Sequence, residues 1–230
     1  MENFSYIKNN YLSLLEEIEK ISNRVGVPSP TLVSVTKSGS DEELLALAEA
    51  GALDFGENRP GEVRRRTDIL KNAGYSPRMH EIGTLQRNKI KLIASDVFMI
   101  HSIDSVKLAG DVDKFAAAHG RKIPVLIEVN SASEEQKGGV LPSMTEKFYE
   151  EISVFKNIEI SGIMTMGPVT HDSEELRPYF RETKKLFDKL VSRYTLSDNP
   201  ILSMGMSDSY EVAIEEGSTL VRVGRKLFKK

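Results

Sequence analysis

A lysine directly follows the first short apolar segment of the chain. The segment TLVSVT covers residues 31–36, and Lys37 comes next. If the chain forms a barrel, an amine at the end of such a strand points into the mouth and is partly desolvated. Burial lowers the pKa of a lysine and frees its neutral amine to attack a carbonyl. A solvated lysine in a loop is the alternative interpretation.

Two later segments have the composition of a phosphate site. GMSDS at 205–209 supplies a glycine for close backbone approach, the hydroxyls of Ser207 and Ser209, and the start of a predicted helix. RVGR at 222–225 supplies a second glycine between two guanidinium groups. The loops after strands seven and eight of a barrel often bind phosphate, helped by a helix N-terminus. GMSDS alone would indicate a helix cap at Ser207 or Asp208, but the two segments together favour phosphate.

A lysine that faces a phosphate site across a barrel mouth suggests two chemistries. One is a Schiff base with pyridoxal 5′-phosphate, and the other is an aldolase-type imine with a phosphorylated sugar. The remaining candidates are weaker. His80 lies within a predicted strand and is expected to be a hydrogen-bonded core residue. His101 either lines the mouth or belongs to a turn followed by a cap at Ser102, and the run 64–66, three arginines, is expected to be a solvated helix face.

The composition excludes several classes of function. The chain has 230 residues, a net charge of −3, no cysteine and four histidines (His80, His101, His119 and His171) without metal-ligand spacing. Thiolate catalysis, disulfides and cysteine-ligated metals are therefore excluded, and nucleic acid or an anionic membrane is not expected as a partner. No apolar run approaches 18 residues, and the N-terminus lacks the basic start and apolar stretch of a signal peptide. We expect a cytoplasmic protein.

Short apolar runs alternate with longer amphipathic stretches, which is typical of a parallel sheet with crossover helices. The predicted strands cover 31–36, 52–55, 79–82, 97–100, 123–130, 158–164, 201–204 and 219–223. The predicted helices cover about 3–24, 41–50, 61–72, 85–94, 105–119, 143–155, 173–193 and 208–216.

Eight strands, each but the last followed by a helix, predict an α/β fold: a single-domain (β/α)₈ TIM barrel over residues 1–230 with an extra N-terminal helix. Only seven residues follow Val223, so an eighth outer helix is nearly missing, and the N-terminal helix is expected to cover the gap. An open doubly wound sheet is the competing architecture.

An ordered set of segments resembles the pyridoxal phosphate homeostasis protein family, whose members are single-domain relatives of the alanine racemase N-terminal barrel. The segments are FGEN (55–58), HEIGTLQRNK (80–89), HSID (101–104), IEVN with EEQKGG (127–139), GIMTM (162–166), SMGMSDSYEVAI (203–214) and GSTLVRVG (217–224). Together they cover nearly the whole chain.

The resemblance implies a barrel that holds pyridoxal 5′-phosphate as a Schiff base on Lys37. It implies that Asn58 lies near the cofactor and that Arg222 faces the pyridine nitrogen, where a second positive charge would disfavour ring protonation. The implied phosphate contacts come from Ser203, Gly205, Met206, Ser207 and Gly224.

The chain departs from the family pattern at four places. The family usually has a lysine where this chain has Gly39, a small hydroxyl residue where it has Arg225, and a proline where it has Thr84. Arg225 could still hold phosphate as a charge-assisted donor. The chain also stops at LFKK, short of the usual tail.

A racemase needs two bases, one on each face of the substrate imine. In the racemases that the chain resembles, the second base is a tyrosine from a separate C-terminal domain, for which seven residues leave no room. Tyr210 alone is expected close to the site. We therefore favour a non-catalytic protein that buffers or delivers pyridoxal phosphate, with PLP-dependent apo-enzymes as partners and a monomeric state. The alternatives are an amino-acid racemase, an imine aldolase, and an interaction protein with a vestigial site.

Overall fold

The computed structural model describes residues 4–93, 97–134, 138–170 and 172–230. Within these ranges the chain forms a closed barrel of eight parallel strands, β1 to β8, that neighbour each other in chain order. The strands are Thr31–Val35, Asp54–Glu57, Arg78–Glu81, Met99–Ile103, Ile123–Glu128, Ile158–Met164, Ile201–Ser203 and Leu220–Val223.

Pairing between the first and last strands closes the barrel. Residues 31–34 of β1 lie beside residues 220–223 of β8 in parallel register. The predicted (β/α)₈ barrel is therefore confirmed, and the open doubly wound sheet is excluded. Among the described residues, no helix has the length and apolar character needed to cross a lipid bilayer.

Helices cover the outside of the barrel. In the described ranges, α1 to α7 are Ser5–Val25, Asp41–Glu49, Pro60–Asn72, Val106–Ala118, Thr145–Ile152, Arg177–Arg193 and Tyr210–Glu215. Short 3₁₀ turns cover Arg87–Leu92, Pro142–Met144 and Ser173–Leu176. The main apolar core lies between the helices and the strands, whereas a small cluster of strand residues, Met99, Leu126 and Met164, fills part of the barrel. Strands covered on both faces must be apolar on both, which explains the near-continuous apolar run of β5.

The N-terminal helix packs against α7 and α2 on the side of the barrel where, in the described part of the chain, no outer helix follows β8. Ile7, Leu14 and Ile18 recur at helical spacing along α1 and are almost completely buried. The Asn10 amide donates hydrogen bonds to the carbonyls of Leu227 (3.1 Å) and Lys229 (2.8 Å), which fastens the C-terminal segment to α1. This placement confirms the predicted role of the helix.

Two predictions about local structure were wrong. The predicted helix 85–94 is only a 3₁₀ turn at Arg87–Leu92, and residue 94 lies outside the described residues. Strand β4 runs to Ile103 instead of stopping at residue 100, so His101 and Ser102 lie within the strand. The hydroxyl that caps the next helix belongs to Ser105, which accepts from the Leu108 N–H.

Candidate functional site at the carboxyl ends of the strands

Lys37 and Asn58 lie side by side just past the ends of β1 and β2. Val35 pairs with Gly56 across these strands, so both residues come two positions after a paired residue. They line one pocket of about 290 Å³ together with Ser38, Glu57, Arg59 and Glu62. The position predicted for Lys37 is confirmed, but its partial desolvation is wrong, because the side chain is exposed.

A buried network supports the loop that carries Lys37. The Thr36 hydroxyl donates to Oε1 of Glu57 (2.6 Å), and Nε of Arg66 lies 2.9 Å from the same oxygen. Arg66 also donates to the Gly39 carbonyl (2.8 Å). Arg66 is only 4% exposed, so its predicted place on a solvated helix face is wrong. Burial raises the pKa of Glu57, and the hydrogen bond from Thr36 and the charge of Arg66 oppose this shift.

At the ends of β7 and β8, two backbone N–H groups converge on one hydroxyl. The Ser207 Oγ accepts from the N–H groups of Gly224 and Arg225, each at 3.2 Å. A helix cap at Ser207 or Asp208 is wrong, because α7 starts at Tyr210 and Ser209 accepts from the Met206 N–H. The Arg225 side chain is exposed and pairs with Asp208. Converging N–H groups of this kind suit an anion.

Two glycines permit the close approach of these segments. A Cβ at Gly224 would lie 2.8 Å from the carbonyl oxygen of Val35 on β1. Gly205 has φ +94°, and a Cβ there would lie 2.6 Å from that of Ala213. Because Gly224 packs on Val35, the β8 end of the site directly adjoins the strand that leads to Lys37.

Arg222 is a buried cation inside the barrel. It donates one hydrogen bond to the Ser203 hydroxyl and another to the Thr165 carbonyl (3.1 Å). Burial lowers the pKa of Arg222 to about 10, against the opposing effect of Glu128, so the guanidinium stays charged at neutral pH. The Ser203 hydroxyl oxygen thus lies within the barrel and accepts a hydrogen bond from Arg222.

Glu128 lies near Arg222 and was missed by the sequence reasoning. Burial raises its pKa to about 7; the charge of Asp104 adds to this shift and that of Arg222 opposes it. Glu128 is the one carboxylate in the apolar run IPVLIEVN, and a charged residue in such a run could have indicated a buried functional group. Asp54, in the run ALDF, was missed in the same way and accepts from His80 (3.0 Å).

His80 and His101 are both buried inside the barrel. The predicted core role of His80 is confirmed, since its ring nitrogens contact Asp54 and His101. His101 also contacts the Ser203 Oγ at 3.2 Å, so the turn predicted for it is wrong. His171 and residues 135–137 of the EEQKGG segment lie outside the described residues. Among the described residues, no three His, Asp or Glu side chains are grouped as metal ligands.

The Tyr210 backbone lies close to Gly205 of the site, as expected, but its side chain turns away from the mouth. Its hydroxyl hydrogen-bonds to Glu17 of α1 and to Nζ of Lys226, so it faces the N-terminal helix. Gly39, one of the departures from the family pattern, lies beneath the Phe228 ring, whose Cε1 would be 2.4 Å from a Cβ at residue 39. The C-terminal segment therefore takes the space that a side chain at position 39 would need.

Comparison with known proteins agrees with this architecture. Residues 10–230 match the family described as alanine racemase, N-terminal domain. The pyridoxal phosphate homeostasis protein of Aquifex aeolicus is 38% identical over 217 residues, which cover 94% of each chain. The chain belongs to the pyridoxal phosphate homeostasis protein family.

Solved structures are similar to this family member over nearly its whole length. An unknown protein from Bifidobacterium adolescentis superimposes with a TM-score of 0.90 at 33% identity, covering 99% of this chain and 97% of the other. PipY of Synechococcus elongatus, solved with PLP bound, superimposes with a TM-score of 0.84 at 26% identity, covering 97% of this chain and 100% of PipY.

Proposed function

We propose that this protein binds pyridoxal 5′-phosphate as a Schiff base on Lys37 and buffers or delivers it without catalytic turnover. The observation that carries the proposal is the junction of β8 with β1. There, converging N–H groups and a buried cation adjoin the strand that ends at the pocket lysine. The family membership and the PLP bound to PipY support it.

The donor set fits this cofactor. The Ser207 hydroxyl and the N–H groups of Gly224 and Arg225 would hold the phosphate; these N–H groups already converge on one oxygen. Backbone contacts at Ser203, Gly205 and Met206 complete the proposed cradle, and Asn58 would contact the cofactor beside Lys37.

Arg222 would face the pyridine nitrogen. When bound, the cofactor supplies an aldehyde that condenses with an amine and a ring that withdraws electrons. Nζ of Lys37 would attack the aldehyde carbon, and one water leaves as the C=N bond forms. The charged Arg222 disfavours protonation of the ring nitrogen, which makes the ring a poor electron sink. Reversible binding of PLP, with a ring that withdraws electrons only weakly, suits a carrier better than a racemase.

The exposure of Lys37 supports delivery. An amine at an open mouth can be displaced by a second amine from solution or from another protein. We therefore propose that the chain acts as a monomeric, single-domain cytoplasmic carrier that passes PLP to dependent apo-enzymes.

Absorption spectroscopy with borohydride trapping tests the assignment. We expect wild-type protein with PLP to show an imine band, and borohydride to fix the cofactor on the peptide that contains Lys37. Lys37→Ala should lose the band, whereas Lys20→Ala, on an exposed face of α1, should keep it. An unchanged band in Lys37→Ala contradicts the proposal. Trapping of a sugar phosphate instead would indicate an aldolase.

A further inference from the structure

A continuous chain of buried polar groups crosses the interior of the barrel. Arg222 contacts Ser203, the Ser203 Oγ lies 3.2 Å from Nδ1 of His101, and Nε2 of His101 lies 2.9 Å from Nδ1 of His80. Nε2 of His80 lies 3.0 Å from Oδ1 of Asp54. These five side chains come from β8, β7, β4, β3 and β2, and each is at most 6% exposed.

The carboxylate at the Asp54 end sets the direction of the hydrogen bonds, and the guanidinium at the Arg222 end is compatible with that direction. A guanidinium only donates, so Arg222 donates to Ser203. The single Ser203 proton is then free to point to Nδ1 of His101. A neutral imidazole has one donor and one acceptor, so His101 donates through Nε2 to His80.

The far end requires the same direction. His80 donates through Nε2 to Oδ1 of Asp54, a carboxylate whose Oδ2 is paired with Arg78. The reverse direction would place the lone pair of His80 Nε2 against this carboxylate oxygen. Burial lowers the pKa of both histidines, and the charge of Arg222 lowers that of His101 further, so each ring holds one proton.

We propose that His80 and His101 are positioning residues that orient Arg222 through the Ser203 hydroxyl. The proposal rests on the proposed function in that Arg222 faces the pyridine nitrogen. The Ser203 hydroxyl and the Thr165 carbonyl accept hydrogen bonds from the two terminal nitrogens of Arg222. When the Ser203 proton points to His101, both lone pairs of the Ser203 oxygen are available to the guanidinium. When His101 donates to Ser203 instead, one of these lone pairs is taken. The hydrogen bond between Asp54 and His80 is thereby coupled across the barrel to Ser203 by the histidine tautomers.

Nitrogen-15 NMR of the imidazole rings in protein without added PLP tests the chain. We expect both His80 and His101 to be protonated at Nε2 and unprotonated at Nδ1. In Asp54→Asn, Arg78 keeps the amide oxygen and turns the NH₂ toward His80, which should exchange the protonated and unprotonated nitrogens of both rings. Asp188→Asn, on the exposed face of α6, should leave both rings unchanged.

Two outcomes of the NMR experiment would overturn the chain. One is a protonated Nδ1 on His101 in the wild-type protein. The other is an Asp54→Asn protein in which His80 exchanges its tautomer while His101 keeps its own. Ser203→Ala gives an independent test, since it should shift the Nδ1 signal of His101, which loses its donor; an unmoved signal contradicts the proposal.

Spectra with PLP test the positioning role separately. Asp54→Asn should change the ratio of the imine absorption bands relative to wild-type protein, and Asp188→Asn should not. An exchanged tautomer with an unchanged spectrum refutes the action on Arg222. A wild-type protein that forms no imine refutes the proposed function, while the NMR result still decides the existence of the chain.

Discussion

At Gly224 the absence of one carbon atom lets β8 meet β1. A Cβ there would lie 2.8 Å from the Val35 carbonyl oxygen, and backbone cannot rotate away as a side chain can. We expect Gly224→Ala to destabilise the protein by about 1–3 kcal/mol and to weaken PLP binding, because the N–H that points at Ser207 moves. Urea unfolding and PLP titration measure the two effects.

Gly61→Ala is the matched control for this substitution. A Cβ at Gly61 would meet nothing within 4 Å, and alanine is a better helix former than glycine at a position inside α3. Stability should therefore be equal or slightly higher. Equal stability of both variants would show that the contact of Gly224 with Val35 can relax without cost.

Glu81 makes stability depend on pH. It is fully buried, one oxygen accepts from the Gly83 N–H (3.1 Å), and the other has no hydrogen-bond partner among the described residues. Burial raises its pKa to about 8, and nearby Glu57 adds to the shift. The folded protein therefore keeps a proton that the unfolded chain loses near pH 4.5. Stability should fall by up to about 1.4 kcal/mol per pH unit as pH rises through this window.

Glu81→Gln should remove this contribution. The variant and the wild-type protein are expected to differ little in pH dependence below pH 4.5, where Glu81 is protonated in both states. Toward pH 8 the free energy of unfolding of Glu81→Gln should rise relative to the wild type. Glu19→Gln, an exposed change on α1, serves as control. Parallel curves for Glu81→Gln and wild type would contradict the raised pKa.

Single residues show what the sequence could and could not predict about the site. Strand-end position was sufficient to bring Lys37 and Asn58 to one pocket. The exposure of Lys37 depends on the packing of loops, which periodicity does not describe. The burial of Arg66 depends on a partner in another element, Glu57, so three consecutive arginines resembled a solvated face.

Helix α1 packs against α2 and α7 on the outside of the barrel, and its contribution to stability can be measured. Leu14 is 2% exposed and packs in the main core, whereas Leu12 on the same helix is 40% exposed. Leu14→Ala should cost about 2–5 kcal/mol through lost burial and a cavity. Leu12→Ala should cost far less. If chemical denaturation gives equal losses, α1 does not seal the barrel.

Strand order was predictable because apolar runs and amphipathic stretches alternate with little irregularity. The end of β4 was not, since His101 and Ser102 have the composition of a turn. Inside the barrel His101 contacts His80 and Ser203, and Ser102 donates to the Gly83 carbonyl. Polar residues normally mark strand ends, but a polar barrel interior removes that signal.

In the molecule as a whole, all proposed cofactor contacts come from two pairs of strands that neighbour each other around the closure, β1 with β2 and β7 with β8. The barrel brings together residues more than 180 positions apart in the chain, such as Lys37 and Gly224. Closure therefore creates the site, and a chain of buried polar side chains runs from Asp54 on β2 through the barrel interior to Arg222 on β8.

Among the described residues, the proposed site presents the amine of Lys37, and the Tyr210 side chain does not face it, which predicts the behaviour of amino acids at the site. Tyr210 is held by Glu17 and Lys226, and the charged Arg222 disfavours protonation of a bound ring. A positioned general base contributes about 10²–10⁴-fold. Deuterium from solvent should therefore enter the α position of alanine at least about 100-fold more slowly than with an alanine racemase assayed alongside. Exchange at racemase-like rates that is lost in Lys37→Ala would make the protein an enzyme, because Lys37 would then act with a second base that the barrel itself supplies.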